Sequence, residues 1–130
     1  MNKGIRILLV DDSLLMRMRV EDLLRDLGFF HIKLADDGRS ALAELSHARF
    51  DIVITDSIMP QVGGLELIRR MRSDPNTANV PALMMTGEAG GEQSRLARKI
   101  GANACIDKPF SSSELGRKIE AIFTPIECAV

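Results

Sequence analysis

The sequence predicts an α/β fold in which a doubly wound parallel sheet carries helices on both faces. Short apolar runs alternate along the chain with segments whose apolar residues recur at helical spacing, a pattern typical of strands joined by crossover helices. The first, third and fourth runs are almost continuously apolar, as strands buried on both faces are. The second and fifth are more mixed, which suits edge strands. Right-handed crossovers then favour strand order 2-1-3-4-5, the flavodoxin-like (βα)5 arrangement.

Each element has its own local signal. Apolar runs predict strands at 5–10, 31–35, 51–55, 81–85 and 104–107. The first helix is predicted from an apolar stripe that ends before Gly28 and comprises Met16, Val20, Leu23, Leu24 and Leu27. A short second helix is expected at about 40–45. The third begins at Gly64, buries a stripe of three residues and stops near Asp74-Pro75; the stripe is Leu65, Ile68 and Met71.

The last two helices complete one predicted domain over residues 1–130. The fourth helix is expected at about 92–100, ending at Gly101. The fifth begins with the capping box Ser111-x-x-Glu114 and is expected to bury Leu115, Ile119, Ile122 and Phe123. The core then spans about 4–123, and residues 124–130 form a tail.

Composition excludes several classes of protein. The chain has 130 residues, enough for one buried core, with 45% hydrophobic and 27% charged residues and a net charge of -1. Such a charge gives no electrostatic source for direct nucleic-acid binding. No apolar run is long enough to span a membrane, and the first strand leaves no room for a signal peptide. Cys105 and Cys128 are far apart, so we expect reduced thiols and a cytoplasmic location.

Chemically active side chains follow four of the predicted strands. Asp56 follows the third strand, the pair Asp11 and Asp12 follows the first, Thr86 follows the fourth, and Lys108 follows the fifth. The carboxyl ends of parallel strands meet at one edge of a sheet, where open α/β folds bind their ligands. Three acids, a hydroxyl and a lysine at that edge predict a site for a divalent cation and a phosphoryl group. Taken alone, Asp12 or Ser13 could instead cap the first helix.

The chain resembles the response-regulator receiver domains over about residues 4–123. The matching motifs are Val10-Asp11-Asp12-Ser13, Asp56-x-x-Met59-Pro60-x-x-x-Gly64, Thr86-Gly87 and Lys108-Pro109-Phe110. Each motif alone is weak evidence for the family, but four motifs in this order, each at the end of a strand, are specific to it. Two further segments are most similar to stand-alone, chemotaxis-type single-domain response regulators. They are Gly64-Leu65-Glu66-Leu67-Ile68 and Thr86-Gly87-Glu88-Ala89.

This resemblance implies a role for each site residue. Asp56 would be the phosphoacceptor, working with Mg²⁺ or Mn²⁺. The metal would be held by Asp11, Asp12, Asp56 and the backbone carbonyl of Ile58. The phosphoryl oxygens would be bound by Thr86, the backbone of Gly87, and Lys108. The Lys108-Pro109 peptide bond is expected to be cis, as is usual in the family.

The resemblance also implies the partners. A histidine kinase or a histidine phosphotransfer protein would donate the phosphoryl group. A downstream target protein would bind a face formed by the fourth helix, the fifth strand and the fifth helix. The chain would be a phosphoacceptor with at most weak self-phosphorylation and autophosphatase activity, rather than an enzyme.

Two departures from the family pattern, at Cys105 and at Gly90-Gly91, concern the switch. Cys105 stands where the family usually has an aromatic residue, so we expect Thr86 and the loop around Gly90 and Gly91 to carry the switch. The resemblance places Ile58 and Glu88 beside the hydrolytic water, where they would tune dephosphorylation.

Other functions fit the sequence less well. The chain could be a receiver-fold scaffold that is never phosphorylated, or the receiver half of a larger regulator. A phosphatase with an aspartyl-phosphate intermediate would carry Asp-x-Asp after the first strand, whereas here the two acids are adjacent. A flavodoxin-like cofactor carrier would find its flavin phosphate repelled by Asp11 and Asp12.

Overall fold

Strands and helices alternate in the computed structural model, which describes residues 3–87 and 91–124. The strands are β1 (Arg6–Val10), β2 (His31–Ala35), β3 (Ile52–Asp56), β4 (Ala82–Thr86) and β5 (Ala104–Asp107). The helices are α1 (Leu14–Asp26), α2 (Gly38–His47), α3 (Gly64–Ser73), α4 (Glu92–Ile100) and α5 (Ser112–Phe123). Glu88, Gly90 and most of the predicted tail lie outside the described residues.

The five strands form one parallel sheet in the order β2-β1-β3-β4-β5, which confirms the prediction. The register aligns the carboxyl ends of the inner strands: Val10 pairs with Thr55, and Asp56 pairs with Met85. At the far side Thr86 pairs with Asp107. Residues that follow these strands therefore share one edge of the sheet.

Two apolar cores lie on opposite faces of the sheet because strand side chains alternate. On one face, Ile7 and Leu9 of β1 pack with residues of α1 and α5 such as Leu24 and Leu115. On the other face, Leu8 and Val10 pack with residues contributed by α2, α3 and α4. Among the described helices, none is long and apolar enough to cross a lipid bilayer.

The structure extends one helix and shifts part of the predicted core. Asp37 Oδ1 accepts a hydrogen bond from the Ser40 N–H at 2.7 Å, so α2 starts at Gly38 and not at 40. In α3, Leu67 is fully buried while the predicted Leu65 is half-buried, because the buried face follows residues 64, 67, 68 and 71. The predicted stripe of α5 is likewise only partly buried at its end, at Ile122 and Phe123.

Several predicted helix ends are confirmed. Ser13, rather than Asp12, caps α1: its Oγ accepts a hydrogen bond from the Met16 N–H at 3.3 Å. The capping box of α5 is present. Gly28 and Gly101 adopt φ angles of 94° and 113° just beyond α1 and α4, a conformation that favours glycine. Asp12 is therefore not needed to start α1.

Gly64 allows the first turn of α3 to lie against the end of β3. A Cβ atom there would overlap the backbone carbonyl oxygen of Asp56, and the Gly64 N–H donates to the Ser57 carbonyl at 2.9 Å. We expect Gly64→Ala to lower the free energy of unfolding by about 2 kcal/mol, because overlap with backbone outweighs the helix preference of alanine.

Urea unfolding measures this loss. Gly87→Ala is the control, because a Cβ on Gly87 meets nothing within 4 Å. A Gly64→Ala protein as stable as the wild type would contradict the close approach.

Candidate functional site

The carboxyl ends of β1, β3 and β5 bring three acids and a lysine together. Asp11, Asp12 and Asp56 each offer a carboxylate oxygen, and these oxygens lie within 4.8 Å of one another. Lys108 Nζ is 2.8 Å from Asp56 Oδ1 and 3.6 Å from Asp11 Oδ2. The peptide bond between Lys108 and Pro109 is cis, as predicted. The cluster thus combines concentrated negative charge with one cation.

Asp56 is the accessible acid next to this lysine. Its side chain is 14% exposed at the end of β3, whereas that of Asp11 is 1% exposed. Asp56 Oδ1 accepts hydrogen bonds from the Ser57 N–H at 2.9 Å and from Lys108 Nζ at 2.8 Å. These two donors orient the carboxylate while leaving it within reach of a molecule from outside.

Asp11 is buried and incompletely hydrogen-bonded. Its Oδ1 accepts from the Ser13 N–H at 2.9 Å, but its Oδ2 has no hydrogen-bond partner among the described residues. Burial raises the pKa of Asp11, and the Asp56 charge adds to the rise; the Ser13 hydrogen bond and Lys108 oppose it. The folded protein therefore disfavours the charged form of Asp11 unless another cation is close.

The acid cluster fits a hard divalent cation. Such cations, Mg²⁺ in particular, prefer carboxylate, carbonyl and water oxygens. The Asp11 Oδ2 atom is buried, polar and without a donor, as an oxygen reserved for a cation would be. Ile58 lies two residues after Asp56, with its side chain 72% exposed.

Arg17 is a neighbour of the site that sequence reasoning missed. Its Nη1 donates a hydrogen bond to the backbone carbonyl of Asp11 at 2.7 Å, from one turn inside α1. The contact ties the turn after β1 to the helix that follows it. Arg17 is six residues after Asp11, a separation that gives no sequence signal of the contact.

Thr86 ends β4, the strand that pairs with β3, but its hydroxyl donates to a residue that the sequence reasoning left without a role. Thr86 is fully buried, and its Oγ1 donates to Asp107 Oδ1 at 2.8 Å. Asp107 is a fourth carboxylate near the site. The alignment of β4 with β5 could have identified it, since Thr86 and Asp107 each end a strand. Gly87, the next residue, is exposed.

Cys105 lies on the side of β5 that faces α4. It is buried, and its Sγ is 3.8 Å from the backbone carbonyl oxygen of Ser94. Gly91 precedes α4 with extended backbone angles. A groove of about 320 Å³ is lined by Ser94, Arg95, Arg98, Cys105, Asp107 and Lys118. Three of these side chains are cationic.

A larger cavity of about 900 Å³ lies away from the acids. It is lined by residues that precede the strands β3 and β4, including Phe50, Asp51 and Pro81, and by Phe123 of α5. These residues are at the amino ends of the strands, so the cavity belongs to the opposite edge of the sheet.

Comparison with known proteins confirms the predicted resemblance to receiver domains. Residues 7–120 match the family described as the response regulator receiver domain. The chain is 44% identical over 123 residues to the chemotaxis protein CheY-3 of Vibrio cholerae serotype O1, covering 95% of each chain.

Solved structures agree. CheY4 of Vibrio cholerae has a TM-score of 0.84 and 34% identity, over 92% of this chain and 98% of the other. The receiver domain of the sensor histidine kinase PA1611 from Pseudomonas aeruginosa PAO1 was solved with magnesium coordinated in its active site cleft. It has a TM-score of 0.84 and 30% identity, over 93% and 99% of the two chains. The chain therefore belongs to the response regulator receiver domain family.

Proposed function

We propose that this receiver domain accepts a phosphoryl group on Asp56 from a histidine kinase or a histidine phosphotransfer protein, and uses Mg²⁺ to do so. The observation that carries the proposal is the placement of Asp56: an accessible carboxylate 2.8 Å from Lys108 and within 4.8 Å of two further acids. The magnesium in the cleft of the PA1611 receiver domain supports the choice of metal.

Each residue of the site has a separate role in the phosphoryl transfer. An Asp56 carboxylate oxygen forms the bond to phosphorus while the bond to the donor breaks, and the donor leaves with the electron pair. Lys108, the Thr86 hydroxyl and the Gly87 N–H stabilise the phosphoryl oxygens. Asp11, Asp12, Asp56 and the Ile58 carbonyl would hold magnesium, whose charge would reduce the repulsion between the carboxylate and the anionic phosphoryl group.

Phosphorylation on Asp56 distinguishes this function from that of a receiver-fold scaffold. A scaffold that is never phosphorylated would have no need to keep the buried and incompletely bonded Asp11.

Intact-mass spectrometry tests the proposal directly. After incubation with acetyl phosphate and Mg²⁺, the protein should gain the mass of one phosphoryl group, and a chelator should prevent the gain. An unchanged mass, together with no binding of Mg²⁺ in calorimetry, would favour the scaffold instead. Mn²⁺ in place of Mg²⁺ should also support the reaction, since both accept oxygen ligands.

The output face would be formed by α4, β5 and α5. The groove beside Cys105 supports this choice, because Arg95, Arg98 and Lys118 give it a cationic lining. A target protein that presents an acidic segment would complement those charges.

Switching through this face should not depend on the side chain at position 105. Beryllium fluoride, a phosphoryl mimic, should shift the amide NMR signals of α4 and α5 almost equally in Cys105→Ala and in the wild type, because the switch is carried by Thr86. The shifts should be mostly lost in Thr86→Ala. The proposed route fails if Cys105→Ala alone removes them.

The phosphorylated protein should be long-lived because Ile58 cannot orient a hydrolytic water. Its exposed apolar side chain offers no hydrogen bond. We expect Ile58→Asn to hydrolyse about tenfold faster, equivalent to about 1.4 kcal/mol in the barrier. The loss of the phosphoryl group is timed at saturating Mg²⁺.

Ile58→Val, which is also apolar, is the matched control and should retain the slow rate. An Ile58→Asn protein as slow as the wild type would assign control of the water elsewhere. Glu88, the other residue proposed to tune hydrolysis, lies outside the described residues.

A further inference from the structure

The hydroxyl of Thr86 is held by a partner that the transfer reaction does not require. Its Oγ1 donates to Asp107 Oδ1 at 2.8 Å. The two residues are directly paired across β4 and β5, and the Lys108 N–H donates to the Thr86 carbonyl at 2.7 Å. The backbones are therefore fixed beside each other, and the carboxylate stands opposite the hydroxyl.

A hydroxyl group has a single proton to donate. While that proton is given to Asp107, it cannot be given to a phosphoryl oxygen on Asp56. We propose that Asp107 is a positioning residue that holds the Thr86 hydroxyl away from the phosphoryl site until phosphorylation draws it over. This inference rests on the proposed function, since it assigns Thr86 to the phosphoryl group.

The Asp107 carboxylate and the phosphoryl group on Asp56 are both anionic acceptors for this proton. A hydrogen bond to an ionised carboxylate is shorter and stronger than one between neutral groups, so the bond to Asp107 stabilises the unphosphorylated state. Asp107 is half-buried and lines the groove with Arg95 and Arg98. Once the hydroxyl leaves, these cations remain near the released carboxylate, which lowers the cost of releasing it.

The affinity for beryllium fluoride in the presence of Mg²⁺ tests the proposal. Asp107→Val removes the competing acceptor and should bind the mimic about tenfold more tightly, since each tenfold corresponds to about 1.4 kcal/mol. Removing a nearby negative charge would also favour an anion, so the substitution is repeated in a Thr86→Ala background. There it should change the affinity by no more than about twofold. Equal tightening in both backgrounds would overturn the role of Asp107.

Thermal unfolding of the same four proteins separates positioning from a purely structural bond. The two substitutions should be non-additive in the metal-free, unliganded protein and additive when beryllium fluoride is bound. Non-additivity of the same size in both states, or additivity in both, would overturn the proposal. Thr86→Val, which keeps the shape of threonine, replaces Thr86→Ala if the smaller side chain prevents folding. A wild-type protein that binds no beryllium fluoride would contradict the proposed function itself.

Discussion

Asp56→Asn should fold normally and gain no phosphoryl group from acetyl phosphate and Mg²⁺. The amide lacks the anionic oxygen that attacks phosphorus, while its size and its contact with the Ser57 N–H can be retained. Intact-mass spectrometry measures the gain, and unfolding by urea confirms that the variant is folded. This is the largest effect expected from any single substitution, because it removes the reacting atom.

Asp51→Asn is the matched control. Asp51 is a carboxylate just before the same strand, at the opposite edge of the sheet, where it accepts a hydrogen bond from the Arg6 N–H at 2.7 Å. It should be phosphorylated like the wild type. An Asp56→Asn protein that still gained a phosphoryl group, on Asp11 or Asp12, would disprove the assignment of the acceptor.

Magnesium should raise the melting temperature of the wild-type protein substantially. A ligand that binds only the folded state at 100 times its Kd adds about 2.7 kcal/mol to the free energy of unfolding. Asp12→Ala should lose most of this gain. In metal-free buffer the same variant should be more stable than the wild type by about 1 kcal/mol, because one of three mutually repelling carboxylates is removed.

A competing effect acts on the stability of metal-free Asp12→Ala, so the sign of its change in unfolding free energy distinguishes the two effects. Asp12 lies just before α1, where a negative charge is also favoured by the helix dipole by about 0.3–1 kcal/mol. Asp22→Ala, an exposed acid within α1, is the control and should leave the magnesium effect unchanged. A destabilised metal-free Asp12→Ala would show that the dipole outweighs the repulsion from Asp11 and Asp56.

The sheet and the clustering of the acids could be predicted because both follow from short-range patterns. Apolar runs locate the strands, and the parallel order then brings residues 11, 12, 56 and 108 to one edge whatever the side-chain details. The helix ends were readable for the same reason: the capping box at Ser111 and the glycines at 28 and 101 act within one turn.

Side-chain direction could not be predicted in this way. Whether the Thr86 hydroxyl turns to Asp107 or to the acids depends on rotamers and on contacts between strands. Arg72 shows the same limit. From α3 it donates to the backbone carbonyls of Val80 at 2.7 Å and Gly101 at 3.0 Å, contacts distant in sequence. Burial lowers the pKa of Arg72, which a reading of surface charge would not foresee.

The Asp11 Oδ2 atom, which has no hydrogen-bond donor among the described residues, has a consequence for protein engineering. Selecting variants for resistance to heat in metal-free buffer should enrich neutral substitutions at position 11, since a buried carboxylate oxygen without a hydrogen-bond donor destabilises the fold. Such variants would have the highest melting temperatures in metal-free buffer and the lowest affinity for a cation. A thermostability screen of this protein therefore needs magnesium in every round. Without it, the selection would replace the side chains that bind the metal.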